Sequence, residues 1–231
     1  FYYGNESGAP GTIMTTFPYQ SMGVRVGTHG VGQVTVTSFS VPAGALPFWR
    51  ERFRGAGVGF TDERSEFGEA TLRCIDPSGL SIRLVESRED ARAPWRRAGI
   101  DAASAIRGIH GVTLLVREPQ RTITFLQELM QCAVVGEAAG ATRLAVNGAA
   151  PGRLLEIMDA GNAPAAINGL GTVHHVAFAV DDPEQQLEVR RELLRRGVPV
   201  TEVLDRQYFR SIYFREPGGV LFEVATIPPG F

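Results

Sequence analysis

The residues best suited to chemistry are two adjacent histidines, His174 and His175, and a glutamate, Glu223, 48 positions after His175. The imidazoles sit in Thr172-Val173-His174-His175-Val176-Ala177-Phe178-Ala179-Val180, the carboxylate in Gly219-Val220-Leu221-Phe222-Glu223-Val224-Ala225-Thr226. Both runs read as β-strands, in which every second side chain shares a face. His175 then shares its face with Ala177 and Ala179, and Glu223 with Leu221 and Ala225. The bulkier Val176, Phe178, Val180, Phe222 and Val224 go to the opposite faces and into a core. Imidazole and carboxylate donors on strand faces cleared by small residues suit a His/His/carboxylate metal site, which keeps coordination positions open for chemistry. His175 and Glu223 are therefore the candidate metal ligands. By parity His174 points away from them and orients its surroundings instead.

One pattern positions these strands and recurs along the chain: strand, helix, then strands closed by a hairpin. The last copy has a strand over Val173–Val180, a helix from Asp182-Pro183 to Leu194 ended by Gly197, a strand over Pro199–Leu204, and the hairpin Tyr208–Arg215, Glu216-Pro217-Gly218-Gly219, Val220–Thr226. The spacing predicts equivalent modules over 33–87 and 109–159, a fourth over 173–227, and over 1–18 the closing hairpin of a truncated first module. The absence of an initial Met and the strand-like Phe1-Tyr2-Tyr3-Gly4 lead us to expect a fragment, with about 50 residues of the first module preceding it.

Aligning first strands on Val41, Val116 and Val180 places Val36 and Gly111 opposite His175, and His110 opposite His174, on the wrong face. Aligning last strands on Gly11, Gly79, Gly152 and Gly219 places Thr15, Arg83 and Glu156 opposite Glu223. Only the last copy supplies both donors, and catalytic metals usually take three. The expected home of the third is a histidine in the first strand of the first module, packed beside the fourth. Glu156 is the rival, and His29, between glycines, reads as a surface residue.

Bulk properties are those of a globular protein: 44% hydrophobic, 21% charged, net charge −2. They give no reason to expect nucleic acid or an anionic membrane as a partner, and no apolar run approaches the ~20 residues that span a bilayer. All 23 basic residues are arginine, a compositional bias and not a patch. Cys74 and Cys132 are too few for a disulfide framework, which makes a reducing cytoplasm the default.

The repeat with His and Glu at these positions resembles the vicinal oxygen chelate superfamily of glyoxalases, extradiol dioxygenases and drug-binding resistance proteins. It is most similar to the hydroquinone-type ring-cleaving dioxygenases, in Gly4-Asn5-Glu6-Ser7-Gly8-Ala9-Pro10-Gly11-Thr12-Ile13, Gly32-Gln33-Val34-Thr35, Thr172–Phe178 and, at greatest length, Asp205–Glu223. The resemblance implies an α+β fold of βαβββ modules pairing into two open, cupped, mixed β-sheet barrels with flanking helices. It implies Fe(II), with Mn(II) or Zn(II) as alternatives, on His175 and Glu223 beside a first-module histidine not present in this sequence. His174, Tyr213 and Arg206 match positions around the metal: His174 or Tyr213 as base, Arg206 to stabilise anionic oxygen. The implied partners are a small hydroquinone- or catechol-like aromatic and O2, with exposed barrel edges leaving a homodimer open. Two other readings stand beside this one: a glyoxalase-like isomerase or lyase with Zn(II), Ni(II) or Mn(II), and a metal-free module that sequesters a small aromatic drug.

Overall fold

The computed structural model describes residues 1–19, 22–97, 99–138 and 140–227. The terminal Pro228-Pro229-Gly230-Phe231 lies outside them. The chain opens with a small antiparallel pair, β1 (Tyr2–Tyr3) and β2 (Met14–Thr15). The order strand–helix–three strands then occurs three times. Unit A comprises β3 (Gln33–Pro42), α1 (Leu46–Gly55), β4 (Phe60–Arg64), β5 (Ala70–Ile75) and β6 (Ser81–Ser87). Unit B comprises β7 (Gly108–Val116), α2 (Pro119–Met130), β8 (Ala133–Ala138), β9 (Ala141–Ala145) and β10 (Leu154–Asp159). Unit C comprises β11 (Val176–Val180), α3 (Pro183–Arg195), β12 (Leu204–Asp205), β13 (Arg210–Arg215) and β14 (Leu221–Thr226).

Units A and B share one eight-stranded mixed sheet, ordered β4-β5-β6-β3-β7-β10-β9-β8 and joined by the antiparallel β3–β7 pair. Unit C forms a four-stranded sheet, β11-β14-β13-β12, with β14 parallel to β11 and antiparallel to β13. The fold is thus mixed α+β with open sheets, the class that the family resemblance implies. No described helix is long and apolar enough to cross a membrane.

Local chemistry accounts for α3. Asp182 accepts a hydrogen bond from the Gln185 amide at 2.9 Å, Pro183 opens the first turn, and Gly197 takes φ +71° just past the end. Beneath it, Leu193, Phe178, Ile212, Phe214, Phe222 and Val224 join one core with Leu114, Leu126 and Ile157 of unit B. The contact of Phe125 with Phe214, ring centroids 6.1 Å apart, belongs to this seam. Burial of such a cluster removes apolar surface from water, at about 25 cal/mol per Å², and gives β13 and β14 a packed floor. Trp49, Leu46, Leu72 and Leu84 form a separate core under α1.

The connectors also engage. Val26, Thr28 and Val31 bridge to Leu170, Ile167 and Ala165, backbone to backbone. Glycine is required there, because a Cβ on Gly30 would lie 2.4 Å from the Pro164 carbonyl and one on Gly27 2.5 Å from the Thr172 methyl.

The strand predicted over Pro199–Leu204 is mostly absent. Thr201 exchanges hydrogen bonds with Tyr213, but its side-chain oxygen accepts the Tyr213 amide at 3.0 Å where a ladder would use the carbonyl. Regular pairing there is confined to Leu204–Asp205.

Candidate functional site

Glu223 sits at the centre of unit C's sheet, opposite Ala177 on β11 and Tyr213 on β13. Strand alternation sends Phe222 and Val224 into the core and leaves Glu223 on the concave face, 3% exposed. Its Oε2 lies 2.7 Å from His175 Nε2. Its Oε1 accepts the Tyr213 hydroxyl at 2.7 Å and, by a very short contact, the Ser211 hydroxyl. Burial raises the carboxyl's pKa, but His175, Ser211 and Tyr213 together hold it below the usual carboxylate range. Tyr213 moves the other way: burial and the Glu223 charge raise its pKa, so it stays a hydrogen-bond donor. The two residues singled out as ligands from their strand parity do converge.

His174 departs from the expectation. β11 begins at Val176, so both histidines precede the regular strand and parity does not govern them. The His174 ring stands edge-on to that of His175, with Nδ1 to Nδ1 at 2.9 Å. One nitrogen of such a pair must carry the proton and the other accept it. Burial, His175 and Arg215 all lower the His174 pKa against an opposing pull from Glu223, which favours the neutral imidazole. On its other side His174 meets Phe17, centroids 6.3 Å apart, which in turn stacks on Tyr19 at 5.6 Å. These aromatics line a groove that passes His175 and Glu223 and includes Tyr208 and Phe209. Arg206 lies with its guanidinium carbon 5.2 Å from the centre of the Tyr213 ring, as a cation–π neighbour, while Glu202 pairs with Arg190.

Glu156, the rival donor, is committed elsewhere. In the cup of units A and B its Oε1 takes Arg143 Nη2 at 2.6 Å, and its Oε2 takes the Thr113 hydroxyl at 2.8 Å with Arg83 at 3.5 Å. Arg143 also grips Glu69 through both guanidinium ends, at 2.6 and 2.9 Å. His110 enters this cluster too, with Nε2 3.3 Å from Glu69 Oε1. Parity had placed His110 on the opposite face, but a bulge corrects that: Ser38 pairs with Gly111 and Phe39 with Ile109, skipping His110. His29 is exposed, bonded to the Gly79 carbonyl at 2.9 Å. Among the described residues no group of three or more His, Cys, Asp or Glu side chains is arranged to hold a metal, so no third residue of these types joins His175 and Glu223.

Ser211, Phe17 and Tyr19 were not foreseen. Ser211 was readable in principle, since it lies two positions before Tyr213 and so shares its strand face. The approach of Phe17 to His174 joins segments 157 positions apart and left no local trace.

Comparison with known proteins follows the same lines. Residues 108–224 match the model of the Glyoxalase/Bleomycin resistance protein/Dioxygenase superfamily. The chain is 40% identical over its full length to MhqO of Bacillus subtilis, provisionally named a ring-cleaving dioxygenase, and spans 72% of that protein. It is 32% identical, again over its full length, to a chlorohydroquinone/hydroquinone 1,2-dioxygenase of Sphingobium indicum, spanning 73% of it. A crystal structure of a provisionally named dioxygenase from Bacillus subtilis superimposes with a TM-score of 0.92 at 40% identity, over 99% of this chain and 72% of that one. With its repeated βαβββ order and these relatives, the chain belongs to the Glyoxalase/Bleomycin resistance protein/Dioxygenase superfamily.

Proposed function

We propose that this chain belongs to an Fe(II)-dependent dioxygenase that opens the ring of a hydroquinone- or catechol-like aromatic with O2. The observation that carries the reading is the division of labour on Glu223: Oε1 held by two hydroxyls, Oε2 turned to His175 Nε2 at 2.7 Å. An imidazole and a carboxylate with one oxygen held back are donors that suit a borderline divalent ion. His175 Nε2 and Glu223 Oε2 would hold it, with Mn(II) or Zn(II) as alternatives to iron. Fe(II) or Mn(II), when bound, would supply a Lewis acid and a redox centre that bring a diphenol and O2 to react in one place, and Zn(II) would supply Lewis acidity alone.

The chain's own residues do the rest. With its Nε2 lone pair engaged, His175 keeps its proton on Nδ1 and donates it to His174 Nδ1, which fixes the ring's orientation. The neutral His174, accepting on Nδ1, carries its own proton on Nε2 and can donate it in a hydrogen bond to an oxygen of the bound ring. Tyr213 serves as donor to Glu223 and not as base. Arg206, beside Tyr213, stabilises an anionic oxygen or ring substituent. Phe17, Tyr19 and Phe209 supply an apolar groove for the ring. The names of the relatives, ring-cleaving and hydroquinone dioxygenases, support the substrate class.

The test is anaerobic Fe(II) loading followed by oxygen uptake with hydroquinone. His175→Ala and Glu223→Gln should each lower iron content at least tenfold and abolish uptake. Unchanged iron and uptake in both variants, or hemithioacetal turnover in place of uptake, would overturn the reading.

A further inference from the structure

Ser211 is fully buried in β13, and its hydroxyl donates to the same Glu223 oxygen that accepts from Tyr213. A buried hydroxyl that meets a carboxylate can be a plain packing solution. The repeats say otherwise here. In unit B the glutamate is kept, as Glu156, but the residue paired with it is Arg143 where unit C has Tyr213. Ser211 pairs with Ala225, two positions beyond Glu223, and in unit B the residue paired two positions beyond Glu156 is Ala141. A guanidinium cancels the charge of the carboxylate it holds, whereas a hydroxyl fixes the carboxylate and leaves the charge in place. The unit that follows His175 is therefore the one whose glutamate is gripped by two neutral donors, both on one oxygen.

We propose that Ser211 is a positioning residue for metal binding. Its hydroxyl, together with that of Tyr213, locks Glu223 so that Oε2 alone faces His175 Nε2 and presents an uncancelled charge to the ion. This role rests on the metal reading given above. It does not require Ser211 to touch substrate or ion.

The experiment is Mn(II) titration of the full-length protein by calorimetry, with the electron paramagnetic resonance spectrum of the bound Mn(II) as a second signal. Ser211→Ala should weaken binding about tenfold and alter the spectrum, because Glu223 becomes free to turn and offer both oxygens. Ser211→Thr, which keeps the hydroxyl, should restore affinity and spectrum. Ser211→Cys, close in size but a weak donor, should behave like the alanine variant and covers the case in which alanine does not fold. A merely structural serine would lower the melting temperature of the metal-free chain yet leave affinity and spectrum of the folded variants unchanged, and that result overturns the positioning role while wild-type binding stands. If the full-length wild-type protein and its His175→Ala variant are equally indifferent to Mn(II), the metal reading itself fails, and this role with it.

Discussion

Glu156 and Glu223 occupy the same place in two copies of one structural unit, and their surroundings differ most in charge. Glu156 faces the guanidinium groups of Arg143 and Arg83, in a closed cluster with Glu69 and His110. Glu223 faces an imidazole and two hydroxyls beside an open groove. The scaffold is the same in both, with the carboxylate on the strand that runs parallel to the unit's first strand. On the proposed metal reading, what would separate a buried structural carboxylate from one available to a cation is the charge of the residue on the next strand. The cup of units A and B has filled its own interior with fixed cations, and the half-cup of unit C has not.

This contrast can be broken most forcefully from the side of the closed cluster. Arg143→Ala would strand Glu69 and Glu156 without their shared cation, and loss of one partner from a buried ion network costs about 3–5 kcal/mol. Urea unfolding should show that loss, with metal binding by the still-folded variant unchanged. A fall in metal affinity as large as the fall in stability would show that the two cups are not independent. The next effect comes from transplanting the difference. Tyr213→Arg places unit B's cation opposite Glu223 and should reduce Mn(II) affinity about 100-fold, equivalent to about 2.7 kcal/mol. Retained affinity in a folded Tyr213→Arg chain would mean that charge cancellation is not what distinguishes the cups.

The smallest effect is on pH. Burial raises the Glu69 pKa, but His110, Arg143 and Ser65 outweigh it and hold the group well below the ordinary carboxylate value of about 4.3. A depressed folded-state pKa contributes stability above the unfolded value and loses it as pH falls towards the folded one. Urea midpoints should therefore drop progressively below about pH 4.3, and Glu69→Gln should flatten that part of the profile. An equal acid slope in both proteins would remove Glu69 from the account.

Much of this was legible from residues alone, for reasons that can be named. Alternation in Gly219–Thr226 put Glu223 on the open face because β14 is a regular central strand, where period two holds without interruption. The repeat order was legible because each turn carries its own glycine and proline signals. Parity misplaced His174 and His110 where the backbone leaves strand geometry, by starting late at β11 and by bulging in β7. Nothing in the composition of those segments announces either irregularity. The cluster of Glu69, Arg143, Glu156 and Arg83 was out of reach for a different reason. It draws on strands of two units, and its assembly depends on the β3–β7 register, which no single stretch of sequence encodes.

The bridged connectors have a practical consequence. Because segments 25–31 and 164–172 contact each other through bare backbone at Gly27, Gly30 and Gly169, the seam between the first sheet and unit C has no slack. Neither stretch behaves as a tether whose length can be varied. Anyone excising unit C for grafting would have to carry both stretches along, and a protease seeking a loose joint would meet paired main chain instead.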